Sequence, residues 1–365
     1  MVLPARGGPV KITANQVTLL RLVFLPAPCA LLFGGPWEKA LALLLFILIG
    51  LTDYLDGYLA RKQGPTTLGA VMDPMVDKIF VTAMFVPLAS MHVVPIWLVL
   101  LLFIREYVVT ELRSIHGSRG VHFQTSELAK YKTTIQMIGG GVIILNEIFR
   151  SHWGALVPLT GFFVFTLGLA LRTHRQRDRF GPRIITFVVL VGWVLLTRCL
   201  FSHTTTIMAV MVLIVSVTLL SGLQYVVQTW KHMGRSLRAE FGAMESASFL
   251  GISVVFPVIY VSALYTSEVS PWLIIAILSL EFAGGGLNNL QSTLGASSPY
   301  IPQMGKSLLV NGAGLLGLLL LLWIPGSARL SNVLLLVALA ASLVYCLKSF
   351  YIHRRALLGA PHASA

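Results

Sequence analysis

Apolar runs close to the length needed to cross a hydrocarbon core, roughly 20 residues as a helix, recur from one end of this chain to the other. They lie near residues 16–33, 39–60, 75–92, 93–113, 129–149, 153–171, 183–200, 205–229, 248–266, 271–290, 307–324 and 331–351. The composition agrees: 56% of the 365 residues are hydrophobic, 11% are charged, and the mean hydropathy is +0.81. Such a pattern predicts an all-α, polytopic integral membrane protein of about twelve transmembrane helices.

Charge sets the expected orientation. Of the 27 Lys and Arg, only Lys39, Arg150, Arg198 and Arg329 fall on the outer side if the N-terminus is cytoplasmic, and Arg21 and Arg105 sit within spans. Cytoplasmic loops carry the excess of Lys and Arg, so both termini are expected in the cytoplasm. The net charge of +13 then belongs to loops such as 172–183 lying against anionic lipid, and nucleic acid is not an expected partner. Residues 1–16 show no long apolar core and no small-residue cleavage site, so no cleaved signal peptide is expected. Cys29, Cys199 and Cys346 are scattered in or beside apolar runs and read as ordinary buried thiols rather than a disulfide or zinc framework.

Four carboxylates break this apolar pattern at one place. Asp53 and Asp56 stand three apart near the end of the second run, and Asp73 and Asp77 stand four apart at the start of the third. Both spacings put a pair on one helix face. Gly64, Pro65 and Gly69 favour a chain reversal between them, and Pro74 is expected in the first turn of the following helix, where proline is tolerated. Two facing helices would then bring four carboxylates to one pocket, a donor set suited to hard cations such as Mg²⁺ or Mn²⁺. Arg61, Lys62 and Lys78 could offset part of that charge, and Gly57 and Ala60 leave the face open to a large ligand. Surface carboxylates paired with these bases are the structural alternative.

The whole stretch, D-x-x-D-G-x-x-A-R followed by G-x-x-x-D-x-x-x-D, resembles the signature of the CDP-alcohol phosphotransferases through Asp53, Asp56, Gly57, Ala60, Arg61, Gly69, Asp73 and Asp77. The resemblance implies a membrane-embedded site with two divalent cations, Mg²⁺ or Mn²⁺, that acts on a CDP-linked substrate. It also implies a homodimer. By that resemblance Asp53, Asp56 and Asp73 are metal ligands, and Asp77 is a ligand that also takes the acceptor's proton. Gly57, Ala60, Arg61 and Gly69 would lie along the cytidine nucleotide.

A second constellation bears on the acceptor. Arg105-Glu106 precedes Leu112-Arg113, and Lys130-Tyr131-Lys132-Thr133-Thr134-Ile135-Gln136 follows. A lone ion inside an apolar span is costly, so Arg105 and Glu106 need partners. Helix-packing ion pairs and cytoplasmic anchoring are one reading, and a basic pocket for an anionic acceptor is the other. These elements, with the opening Asn15-Gln16-Val17-Thr18-Leu19-Leu20-Arg21, are similar to those of the phosphatidylglycerophosphate synthases of bacteria within the same family. That similarity implies CDP-diacylglycerol as donor, sn-glycerol 3-phosphate as acceptor, and a bacterial inner membrane enzyme whose site faces the cytoplasm. Arg105, Arg113, Lys130 and Lys132 are then the candidates for the acceptor's phosphate. Other acceptors, giving cardiolipin, phosphatidylinositol phosphate or phosphatidylserine, stay open, as does a lipid-handling or transport protein.

The resemblance covers about residues 12–140. Members usually have six spans, the last carrying a serine, a small residue and a tyrosine. Here Ser221-Gly222-Leu223-Gln224-Tyr225 sits on the eighth run, so either two extra spans intervene or the sixth span closes the bundle. The expected division is a catalytic membrane domain at 1–230 and a C-terminal helical membrane domain at 231–365. In the latter, Thr293-Leu294-Gly295-Ala296 faintly echoes Thr67-Leu68-Gly69-Ala70, as a degenerate repeat or by chance. Glu281, the acidic residue well inside a late span, is read as hydrogen-bonded helix glue, and Gly284-Gly285-Gly286 as a point of close helix approach or a break.

Overall fold

A computed structural model describes residues 13–64, 66–118, 127–177, 182–232, 249, 251–266, 268–293, 304–324 and 326–358. Each apolar run falls on helix over most of its described residues, and no strand occurs among the described residues. Among the described residues five helical stretches, Ala14–Leu31, Pro36–Lys62, Leu156–Arg175, His203–Val227 and Ala328–Ile352, are long and apolar enough to cross a membrane.

Local sequence sets the first elements. Helix α1 (Ala14–Phe24) opens on a capping box: Thr13 N–H donates to Gln16 Oε1 (2.9 Å) and Gln16 N–H to Thr13 Oγ1 (3.3 Å). Fixing that start puts Thr18 and Arg21, three apart, on one face. Pro26 then begins α2 (Pro26–Leu31). Helix α3 (Pro36–Gln63) starts with proline at its first position and stops at Gly64, whose φ of 91° suits glycine. Thr66 caps α4 (Thr67–Ser90) by accepting from Gly69 N–H at 3.0 Å. Helix α3 thus ends, and α4 begins, within a few residues of each other, and α1 packs against both. Helix α4 begins well before the expected position, and this corrects the place given to Pro74. It lies inside the helix rather than in its first turn, where its missing N–H leaves one helical carbonyl without its usual donor.

Helix α4 is the axis of the bundle. Every residue from Ile79 to Ala89 is buried, as in a helix enclosed on all sides. Around it stand α1, α5 (Ile96–Ser118) and α6 (Glu127–Ile148), while α9 (His203–His232) packs along both α5 and α6. Helices α7 (His152–Arg177) and α8 (Pro182–Leu200) pair with each other, and α8 leans on α6 and α9. The two extra helices are thus an inserted hairpin beside the bundle, and α9, which carries Ser221, closes it.

Beyond residue 250, a π-helical turn (Gly251–Val255) leads into α10 (Phe256–Ser262), then α11 (Pro271–Thr293), α12 (Met304–Trp323) and α13 (Ala328–Leu358). Helix α11 lies against both α4 and α5, and one hydrophobic core runs from Leu25 through Phe85 and Phe103 to Phe282 and Ala338. An added Cβ at Gly285 or Gly286 would meet its neighbours at 3.4 Å or more, so α11 approaches closely without needing glycine there. The echo of residues 67–70 falls largely outside the described residues, as do the side chains of Asn288 and Asn289.

At the end of the bundle away from the aspartates, buried Glu147 binds Lys39 (3.1 Å) and Arg150, with His203 at 3.9 Å. These ion pairs tie the ends of α3, α6 and α9 beside a cavity of about 610 Å³.

Candidate active site

The carboxylates of α3 and α4 converge, and a guanidinium from α1 stands among them. Arg21 Nη1 donates to Asp53 Oδ1 at 2.8 Å and Nη2 to Asp56 Oδ2 at 2.5 Å, while Asp77 Oδ1 lies 3.8 Å from Nη1. Thr18 Oγ1 is 3.0 Å from Asp56 Oδ2, 3.2 Å from Asp73 Oδ1 and 3.2 Å from Ala14 O, so its one proton serves these acceptors in turn. One guanidinium and one hydroxyl therefore gather four acids from two helices. Asp56 is the deepest, its side chain 6% exposed against 50% for Asp53.

Does this cluster fit a divalent cation? Its donors are hard oxygens from carboxylates at the ends of two helices, the chemistry Mg²⁺ and Mn²⁺ prefer. Asp77 Oδ1 is buried without a hydrogen-bond donor among the described residues, an acceptor that a cation would satisfy. Arg21 meanwhile holds the central cationic position, and among the described residues no three acids, His or Cys stand in finished ligand geometry. The residue types fit; the arrangement is one held by an internal cation. Gly57 on α3 is half-buried with open space where a Cβ would stand, which leaves backbone accessible beside the cluster. Arg61 lies exposed on the same helix.

Next to the aspartates is a cavity of about 290 Å³ lined by Asp73, Asp77, Lys78, Arg105, Arg113 and Lys132 among others. Its bases are held by second contacts. Lys132 Nζ donates to Glu106 Oε1 at 2.5 Å, and Gln136 Nε2 donates to the same oxygen at 3.2 Å. Arg105 Nη1 reaches Glu106 at 3.3 and 3.4 Å, and Nη2 donates to Ser221 Oγ at 2.6 Å. Arg113 lies over the Tyr225 ring at 5.3 Å. Lys78 Nζ donates to Thr110 Oγ1 at 2.7 Å. Gly222 is required by this packing: a Cβ there would stand 2.8 Å from Arg105 Cγ and 3.1 Å from its Nε. The serine and glycine of α9 thus serve Arg105 directly, which gives that motif its role.

Sequence reasoning brought Asp73, Asp77, Arg105, Arg113 and Lys132 to one cavity, and the structure places them there. Lys130 lies on α6, but its side chain is outside the described residues. Ala60 lies partly buried on α3. Gly69 sits at the start of α4, where a Cβ would stand 3.0 Å from both Asn15 Oδ1 and Thr66 Oγ1. Arg105 and Glu106 pair with each other, and Glu106 with Lys132, rather than with Asp73 or Asp77. Reasoning from sequence gave no role to Thr18 and Arg21. The signal was present: an arginine within an apolar run calls for an acid partner, and Asp53, Asp56, Asp73 and Asp77 are acids at the ends of the next apolar runs.

Comparison with known proteins agrees with this geometry. The family model for CDP-alcohol phosphatidyltransferase matches residues 11–171, which span α1 to α7. A CDP-diacylglycerol–glycerol-3-phosphate 3-phosphatidyltransferase of Cereibacter sphaeroides is 39% identical over 139 residues, covering 36% of this chain and 62% of that protein. One of the same name from Bacillus subtilis is 29% identical over 148 residues, covering 37% of this chain and 77% of that protein. A Mycobacterium tuberculosis protein named "Probable phosphatidylglycerophosphate synthase" is 35% identical over 177 residues, covering 47% of this chain and 84% of that protein. The chain therefore spans less than two thirds of the first of these relatives. No solved structure matches.

Proposed function

The chain belongs to the CDP-alcohol phosphatidyltransferase family, and from that premise we infer that it moves a phosphatidyl group from CDP-diacylglycerol to sn-glycerol 3-phosphate, giving phosphatidylglycerophosphate and CMP. The observation that carries this reading is one cavity with Asp73 and Asp77 on one wall and Arg105, Arg113 and Lys132 on another. An anionic, alcohol-bearing acceptor satisfies both walls at once.

In the proposed step the acceptor's hydroxyl oxygen attacks the phosphorus that carries the diacylglycerol. A new P–O bond forms there, the phosphoanhydride bond to CMP breaks, and CMP departs with that bonding pair. Asp77, at the cavity wall, takes the hydroxyl proton as general base. Arg105, Arg113, Lys130 and Lys132 hold the acceptor's phosphate and so orient its hydroxyl. Two divalent cations, Mg²⁺ or Mn²⁺, when bound by Asp53, Asp56, Asp73 and Asp77, supply neutralisation of the diphosphate and of the leaving CMP. Gly57, Ala60, Arg61 and Gly69 lie along the cytidine nucleotide, a role supported by the open space over Gly57. For these residues to meet a cytoplasmic donor, the chain crosses the inner membrane about twelve times with both termini inside, as the Lys and Arg distribution favours. Residues 1–230 form the catalytic part and 231–365 a supporting membrane part, and the active form is a homodimer.

Acceptor profiling tests the reading. Purified enzyme in detergent, given labelled CDP-diacylglycerol and Mg²⁺, is expected to release CMP with glycerol 3-phosphate and much less with inositol phosphate, serine or phosphatidylglycerol. Asp77→Asn is expected to stop release while the protein still elutes as a folded species. Preference for another acceptor, or full activity of Asp77→Asn, overturns the assignment.

A further inference from the structure

The cavity's bases are each steadied from inside the bundle, except that Lys78 also meets a residue from beyond it. Its Nζ lies over the Phe282 ring, 5.4 Å from the centroid. Phe282 belongs to α11, outside the segment that the family model matches. Tyr107 of α5 stacks on its ring at 4.2 Å and 4° between planes. The Tyr107 hydroxyl donates to Leu278 O, one turn earlier on α11, at 3.0 Å. Phe282 is 1% exposed. A rigid ring thus faces the one lysine that directly follows Asp77.

We propose that Phe282 of the C-terminal helices is a positioning residue for Lys78, holding its ammonium toward the acceptor cavity as a further cation for the phosphate. The proposal rests on the acceptor reading above. The chemistry is that of a cation over an aromatic face, which is stronger when water is excluded. With Thr110 Oγ1 taking one N–H and the ring taking the electrostatic contact, Lys78 keeps donor capacity for an anion in the cavity it lines. Without the ring, a flexible four-carbon stem has other rotamers open to it. This gives the region after residue 231 a definite part in the reaction: it acts on acceptor affinity through one side chain.

Phe282→Leu stays apolar, loses some volume and removes the π face; Phe282→Tyr keeps the π face and adds one hydroxyl. Full-length variants in detergent are assayed for KM of each substrate, kcat, and glycerol 3-phosphate affinity by calorimetry, alone and with Lys78→Met. Phe282→Leu is expected to raise KM and Kd for glycerol 3-phosphate about fivefold, a factor in keeping with a cation–π contact. Its KM for CDP-diacylglycerol is expected to hold, with a modest drop in unfolding midpoint from the lost ring packing. Phe282→Tyr is expected to restore wild-type affinity, and Phe282→Leu with Lys78→Met to be no weaker than Lys78→Met alone. Unchanged glycerol 3-phosphate affinity in Phe282→Leu, or full additivity with Lys78→Met, overturns the proposal. So does a variant that loses both substrates together with thermal stability. If the wild type neither binds nor uses glycerol 3-phosphate, the acceptor reading fails and this one with it, whereas normal wild-type behaviour with an indifferent Phe282→Leu sinks this one alone.

Discussion

Removing the charge of Glu106 perturbs the most heavily used acid in the cavity wall. Its buried carboxylate accepts from Lys132 at 2.5 Å, Gln136 at 3.2 Å and Arg105 at 3.3 Å. Glu106→Gln preserves shape but leaves Lys132 and Arg105, both buried, without the anion that offsets them. Taking one partner from a buried ion pair costs about 3–5 kcal/mol, against about 0.5–1.5 kcal/mol for an ordinary hydrogen bond. The larger figure applies, because two cations share the loss. At about 1.4 kcal/mol per factor of ten, the folded-to-unfolded ratio falls by roughly two to three and a half orders of magnitude. The assay is the unfolding midpoint in detergent, followed by size exclusion after heating. Glu106→Leu with Lys132→Met provides the contrast, since replacing a buried pair by apolar groups of similar volume is often neutral or stabilising. It keeps Arg105 on Ser221. We expect the double variant to regain only the share of the midpoint due to Lys132, since buried Arg105 still lacks its anion, and to bind glycerol 3-phosphate poorly. A Glu106→Gln midpoint equal to wild type, or a double variant no more stable than Glu106→Gln, would refute the reasoning.

Three further outcomes are expected. Arg21→Gln leaves buried Asp56 without its guanidinium partner, so the metal-free protein loses about 3–5 kcal/mol of stability; saturating Mn²⁺ restores it, and Mn²⁺ binds more tightly by electron paramagnetic resonance titration because no internal cation competes. An unchanged metal-free midpoint counts against that role. Gly222→Ala forces a Cβ to 2.8 Å from Arg105 Cγ, so Arg105 shifts and KM for glycerol 3-phosphate rises while KM for CDP-diacylglycerol holds; equal kinetics for both substrates would mean the cavity does not depend on Arg105's position. Glu147→Gln removes the buried acid that binds Lys39, Arg150 and His203 at the far end of the bundle, lowering thermal stability with both KM values unchanged; a changed acceptor KM would show coupling across the bundle.

Some of this was legible because it depends on neighbours in sequence. Run length marks helices, since each backbone polar group in hydrocarbon must be satisfied within its own segment. Spacings of three and four put Asp53 with Asp56 and Asp73 with Asp77, and Gly64 marks the reversal between their helices. The cost of placing charge among apolar residues marked Arg105 and Glu106, whereas Arg113, Lys130 and Lys132 came with the family resemblance. Register at the start of α4 did not follow, because Thr66 caps the helix earlier than the proline pattern implied.

What the chain's own order of residues determined is the set of helices and the two groups of charged side chains that cannot be left bare in an apolar setting. Pairing across distance was decided only by tertiary packing. Arg21 reaches acids 32 and 35 positions away, Ser221 meets Arg105 across 116, and Phe282 arrives from a helix that local spacing gives no reason to place beside Lys78. Periodicity shows which face of a helix carries a group, but which helix that face meets depends on how the whole bundle fills its core. The hairpin of α7 and α8 makes the point: the chain passes through it before α9 returns to close the site.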